Sequence, residues 1–473
     1  MHEPAELELF ASDEQLRALE ARHAAEPQAA SVLMALAWAL RQREPERSLS
    51  LARTAAESNP ALNPRLWLMQ AERTAALGRL DEADEWQARA LAAFEAEADR
   101  VGQVDAHYLT VTTSTQRGGV SDLVPLSTRV RDLAEAAAEP LRQAISRLVL
   151  ARMRIMSAGF VAELSNQALL PPQGAVLHPS VAANLALYKG TVAARRSDPA
   201  AVQHFIEAHD LALISGQGRA ASLAASSLAF VHDASGDTAS ALEWSHAALN
   251  LARARWPAFE SHCLASTATL LRRLGQLQEA REMARECLQR EQDYPNSRPS
   301  LISLAQLGAI ELADDGPARA LPLFDQVLAH PAAWPDLRFD VMLDRTEALL
   351  RLGRFAEAEA AAQGCMAMDG SVSLGPLLLR ARAQLADAWL GLGQAQRAQQ
   401  AQAAVLADCT QLADFKPLVS MLEAAARAHA AVGLHTEAFA LDQRAREARE
   451  DRHNHLAAMR SRALYAKFRT ERT

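Results

Sequence analysis

Apolar residues recur at spacings of three and four along most of the chain. Examples are SLAASSLAFVHDAS (222–235), SHCLASTATLLRRL (261–274), FDVMLDRTEALLRL (339–352), LLRARAQLADAWLGL (378–392) and LVSMLEAAARAHAAV (418–432). That spacing is the buried stripe of an amphipathic helix. Each stretch stops at a small turn residue and is followed by a second helical segment. The pattern predicts helix nearly everywhere, over more than roughly 70% of the chain, and strand almost nowhere.

The second segments align with one another. From Gly78, Gly236, Gly275, Gly353, Gly393 and Gly433 they read GRLDEADEWQARAL, GDTASALEWSHAAL, GQLQEAREMARECL, GRFAEAEAAAQGCM, GQAQRAQQAQAAVL and GLHTEAFALDQRAR. Glycine suits the helix end because it takes the left-handed conformation without a Cβ clash. Alanine follows five residues later, at Ala83, Ala241, Ala280, Ala358, Ala398 and Ala438, where two helices are expected to cross closely. The position twelve after the glycine is also small: Ala90, Ala248, Cys287, Cys365, Val405 and Ala445. A further unit carries Asp315 at the turn, Gly308 and Ala320 at close-packing positions, and Phe324 to fill the groove. The anchors 236, 275, 315, 353, 393 and 433 are thus 38 to 40 residues apart.

These anchors, together with Leu36, Trp67, Gly308 and Ala320, resemble the tetratricopeptide repeat family, whose repeat is 34 residues. The longer step is similar to that of long-helix bacterial regulatory members. HEAT and armadillo repeats have comparable periods but lack the Gly-to-Ala pattern. The resemblance implies an all-α, right-handed superhelical solenoid of about eleven antiparallel helix pairs. It weakens between residues 100 and 215, where Gly118, Gly159 and Asp198 fall near the expected phase. An amino-terminal lobe over 1–170, a carboxy-terminal lobe over 180–450 and an extension helix over 451–473 are expected, with the proline-rich Leu169–Ser180 as hinge.

Composition narrows the function. Hydrophobic residues are 49% and aromatics 5%, so the core must be close-packed from Ala and Leu. A net charge of −8 over 473 residues offers no general basic surface, which argues against a nucleic-acid partner. The acidic start MHEPAELELF lacks the character of a secretory signal, and no apolar run reaches the roughly 20 residues of a membrane span; a cytoplasmic protein without a membrane partner is expected. Cys263, Cys287, Cys365 and Cys409 lack paired spacing and read as small buried residues.

No phosphate-cradling loop, dinucleotide fingerprint or paired-histidine metal motif is present. His453 and His455 are two apart and face different sides of a helix, and Asp314 with Asp315 suits a helix cap. The expectation is therefore a chain with no catalytic residues, cofactor or metal of its own, binding a protein or peptide.

In the family the first helices line the concave surface. The resemblance then nominates as groove residues Tyr108, Arg152, Asn184, Tyr188, His262, Arg272, Asp340, Asp344, Glu347, Arg380, Gln384, Asp387, Glu423 and Arg427. Leu456, Met459, Ala463, Leu464 and Phe468 form an apolar stripe on the last helix that points to a homodimer. The helical ending also resembles arrays leading into an output domain, such as a diguanylate cyclase or histidine kinase; the alternative reading is the regulatory region of such an enzyme.

Overall fold

The computed structural model describes residues 7–117, 123–158, 166–292, 298–368, 375–411 and 417–470. These contain twenty-two α-helices and no strand, and 83% of the described residues are helical. A single helix, α1 (Asp13–Ala25), precedes the repeats. The pairs that follow are α2 (Ala30–Leu40) with α3 (Pro45–Ser58), α4 (Asn63–Ala76) with α5 (Leu80–Ala96), and α6 (Arg100–Gln116) with α7 (Leu123–Ala137). Helix α8 (Pro140–Ala158) comes next, then α9 (Pro179–Arg195) with α10 (Ala200–Ile214) and α11 (Gly218–Ala234) with α12 (Thr238–Arg255). The array continues with α13 (Glu260–Arg273) and α14 (Leu277–Arg290), α15 (Arg298–Ala313) and α16 (Pro317–Ala329), and α17 (Pro335–Arg351) and α18 (Phe355–Ala367). It ends with α19 (Gly375–Gly391) and α20 (Ala395–Cys409), and α21 (Val419–Ala431) and α22 (His435–Thr470).

The anchors make the turns. All six anchor glycines have positive φ, between 70° and 84°, and Asp315 takes the same conformation at 52°. After each glycine the next amide reaches back across the turn: Asp237 to His232 O at 2.9 Å, Arg354 to Leu349 O at 3.0 Å, Gln394 to Trp389 O at 2.9 Å. These are Schellman closures, which satisfy the last carbonyls of the first helix. In the stretch where the signature fades, the left-handed residues are Ala98, Ala138 and Ser197; Asp198 follows rather than makes its turn. Gly118 and Gly159 lie outside the described residues.

Packing follows from the small residues. Ala83, Ala241, Ala280, Ala358, Ala398, Cys287 and Cys365 have no exposed surface, and Ala438 retains 9%. Phe324 is fully buried over Gly308, so close that a Cβ there would lie 2.5 Å from the ring. Gly102 under Phe94 and Gly190 under Phe205 repeat the arrangement. All four cysteines are buried and in no disulfide, and burial pushes the Cys263 and Cys365 thiols up to about 12 and about 11.

The chain divides into two compact units, Met1–Cys263 and Leu264–Thr473, with the boundary inside α13. The expected hinge instead falls within the first unit, because Leu169 is buried in a cluster with Leu150, Ile155 and Val192 of α8 and α9. Within each unit successive first helices pack on one another as well as on their own partners: α9 on α11, and α17 on α15 and α19. This makes the first helices the inner layer of each unit's stack. Among the described residues no helix is long and apolar enough to cross a membrane. Helix α22 runs on to Thr470, but the side chains of Leu456, Met459, Ala463, Leu464 and Phe468 lie outside the described residues.

Candidate functional site

The inner faces of α17, α19 and α21 in the second unit enclose an open cavity of about 530 Å³. Its walls carry a ladder of ion pairs that joins one first helix to the next. Arg380 donates to Asp344 at 2.8 Å, and Arg427 donates to both oxygens of Asp387 at 2.7 and 2.9 Å. Arg351 donates to Glu347 at 3.0 Å along α17, and Glu423 accepts from Arg449 of α22. Residues one repeat apart meet because the first helices stack in register, 36 residues separating Asp344 from Arg380 and 40 separating Asp387 from Arg427.

Between the charges lie Leu350, Phe355, Leu390 and Met421, which form an apolar floor. Gln384 is buried at the centre, where its Nε2 donates to Leu343 O at 3.0 Å. Its Oε1 has no hydrogen-bond partner among the described residues. A buried acceptor without a donor is uncommon in a folded protein, and this oxygen is closed to solvent. The lining charges balance, with Glu347, Asp387 and Glu423 against Arg351, Arg380 and Arg427. At the amino-terminal end of the same stripe, Asp340 is exposed; partial desolvation and the neighbouring Asp344 carboxylate push its carboxyl above the usual range.

Six of the groove residues expected from sequence, Glu347, Arg380, Gln384, Asp387, Glu423 and Arg427, line this one cavity, and Asp344 borders it through Arg380. The others lie elsewhere. Arg272 donates to Gln306 at 2.7 Å. His262 stacks on Phe259, which stacks on Trp256, with centroids 4.8 and 4.6 Å apart. Tyr108 lines a small cleft of the first unit with Leu9, Trp38, Arg41, Glu72 and Arg219. Arg152 is half-buried, and burial lowers the pKa of its guanidinium while nearby Tyr108 partly offsets this. Asn184 and Tyr188 are buried; the Asn184 amide donates to Ser180 O and Gln217 Oε1, both at 2.8 Å. Sequence reasoning did not nominate Phe355, Ser420 or Met421, which also line the cavity. Phe355 opens a second helix, outside the first-helix stripe, yet an aromatic two residues after the turn glycine was a usable signal.

Among the described residues no group of three or more His, Cys, Asp or Glu could hold a metal ion. No protein-family model and no curated protein sequence matches this chain. Solved structures do. The apo form of RapI aligns over 74% of this chain and 98% of its own length, at 14% identity and a TM-score of 0.53. A Rap protein complexed with Competence and Sporulation Factor aligns over 75% and 99%, at 11% identity and the same TM-score. The chain has a tetratricopeptide-like helical-repeat fold. A tetratricopeptide repeat protein from Parabacteroides merdae also matches, at 15% identity and a TM-score of 0.40, over 59% of this chain. At these identities the likeness is one of fold, and the tetratricopeptide-like groove of this chain carries its own side chains.

Proposed function

We propose that this chain is a non-catalytic scaffold that binds a protein or peptide segment in the cavity between α17, α19 and α21. The observation that carries the reading is the cavity wall itself. Paired charges alternate around an apolar floor in a space large enough for several side chains. A balanced wall favours a segment of mixed charge over a polyanion, since no net field gathers like charges. The ladder pairs are partly exposed, so a ligand carboxylate or ammonium can exchange with one partner at small cost, about 0–1 kcal/mol per pair. A Rap structure of related fold is a complex with Competence and Sporulation Factor, which supports ligand binding by this architecture and a place in bacterial signalling.

Selecting peptides on the immobilised full chain and titrating the best binder against variants tests this. Ser420 is exposed on the cavity rim, so Ser420→Trp fills the space without entering the core. Binding should fall at least about 10-fold, the equivalent of one lost anchor. Full affinity in Ser420→Trp and in Arg427→Ala would move the site off this face.

A further inference from the structure

The first described residues of the chain, Leu7–Ala11, lie against the inner surface of the first unit as a segment outside helix and strand that bends at Leu9 and Phe10. Among the described residues their backbone makes no hydrogen bond to any other backbone group. Side chains hold it instead. Leu7 O accepts from Arg142 Nη2 at 2.8 Å and Glu8 O from Trp38 Nε1 at 2.9 Å. Leu9 O accepts from Arg41 Nη2 at 2.6 Å and Ala11 O from Arg43 Nη2 at 2.9 Å. Leu9 and Phe10 are each only 3% exposed, and Phe10 lies 4.8 Å from the Arg41 guanidinium, which stacks on Trp38 at 4.1 Å. The Glu8 carboxylate accepts from Gln15 at 2.5 Å.

Two of these arginines are positioned without the segment's help. Arg142 is clamped by Asp105 at 2.7 and 2.8 Å, and Arg41 by Glu72 at 3.0 Å. Departure of the segment therefore leaves those donors aimed at the same places. Carbonyls read by prearranged side chains, with two adjacent apolar side chains as anchors, are the means by which a groove grips a peptide. Repeat helices in this chain are held differently, by helix crossings.

We propose that the inner surface of the first unit is a second peptide-binding site, whose resident occupant is Leu7–Ala11 of this chain. An external peptide with an acidic residue followed by a Leu-Phe pair displaces it. This site is separate from the cavity lined by α17, α19 and α21, and it stands whether or not that cavity binds a ligand.

The test uses the full chain and a fluorescein-labelled peptide of residues 5–14, AELELFASDE. Tethering gives the resident segment an effective concentration of the order of millimolar, so the unaltered chain should bind the probe at least about 10-fold more weakly than Leu9→Ala/Phe10→Ala. Adding Trp38→Phe to that variant removes one donor and should weaken the probe about 3- to 10-fold. A folded Leu9→Ala/Phe10→Ala chain that ignores the probe, or that binds it no better than the unaltered chain does, overturns the proposal. So does probe binding indifferent to Trp38→Phe.

Leu9→Cys provides a readout that needs only a conservative change. The four native cysteines are buried. Labelling of Cys at position 9 by a bulky maleimide should accelerate at saturating unlabelled peptide. A rate unchanged by peptide means a permanent strap, and a dimer that the Leu9→Ala/Phe10→Ala change dissociates means the segment comes from a second copy; either overturns the proposal.

Discussion

Gly308 in α15 offers a direct measure of how closely a helix pair approaches. A Cβ at that position would sit 2.5 Å from Phe324 Cε1, 2.7 Å from Cδ1 and 3.1 Å from Cζ. Carbon atoms are comfortable at about 3.5–4.0 Å, so ring or backbone must yield by about 1 Å. The ring has nowhere to go: Phe324 is fully buried within a cluster that includes Leu301, Ala320, Val341 and Leu349. Overpacking of this kind costs about 1–3 kcal/mol. Against it stands the gain of up to about 1 kcal/mol when alanine replaces glycine inside a helix. Gly308→Ala should therefore destabilise the second unit by about 1 kcal/mol. With Phe324→Leu already present the clash is relieved and the same change should become stabilising, which is a reversal of sign. Gly364→Ala serves as a control, because its Cβ would meet only the flexible end of Met342 at 2.9 Å and the helix gain should prevail. Native-state hydrogen exchange at amides of α15 and α16 is the suitable assay, since repeat arrays unfold in parts and a single midpoint misleads. A Gly308→Ala chain better protected than the original, with no coupling to Phe324, would refute this packing.

Three further outcomes follow from the charges. Asp105 accepts from Arg65 at 2.6 Å as well as from Arg142; burial raises its pKa, but Arg142 and then Arg65 outweigh this and hold it below the usual range. Asp105→Asn should cost the first unit about 3 kcal/mol near neutral pH, and the gap should close as pH falls through the folded-state pKa, as pH-dependent urea melts will show. The raised Asp340 carboxyl has the opposite sign: Asp340→Asn should stabilise the second unit slightly at neutral pH, by less than about 1 kcal/mol, with the gain vanishing below the usual aspartate range. Neutralising Asp344 and Glu347 together should weaken a bound peptide several-fold in titration and leave the melting midpoint nearly unchanged, because both pairs are partly exposed.

The repeats were legible because their turns use residues with a distinctive backbone. Glycine, and once aspartate at 315, occupies the left-handed position and stands out at a fixed step. The faded region hides its turns because Ala98, Ala138 and Ser197 do the same work with residues that give no turn signal. That residues of α17, α19 and α21 share one surface was legible, because the phase there was anchored by Gly353, Gly393 and Gly433. In α9, which no glycine anchors, the same transfer landed on Asn184 and Tyr188, which point into the structure. The ladder itself was not legible. Which acid meets which arginine across 36 or 40 residues depends on how one first helix stacks on the next, and periodicity within a helix carries no such information. Leu7–Ala11 was hidden for a simpler reason: a segment outside helix and strand, held by distant side chains, has no period.

The two units use charge in different ways, and burial explains the difference. In the first, Arg142 and Asp105 each keep 1% side-chain exposure, so their attraction is little screened and neither can turn to a ligand without giving up a buried ion pair. Such a pair works as scaffolding, and what it presents to the inner surface is a positioned guanidinium for a carbonyl oxygen. In the second, Arg427 keeps 53% exposure and Arg380 26%, so water already competes for both and a ligand carboxylate can do the same. Recognition through carbonyls and buried apolar anchors should respond weakly to salt, whereas recognition through the exposed ladder should weaken as the screening length falls from about 10 Å at 0.1 M to about 3 Å at 1 M. Salt dependence therefore separates the two sites by mechanism. A peptide seated on the ladder should lose affinity steeply across that range, and one that replaces Leu7–Ala11 should retain most of its own.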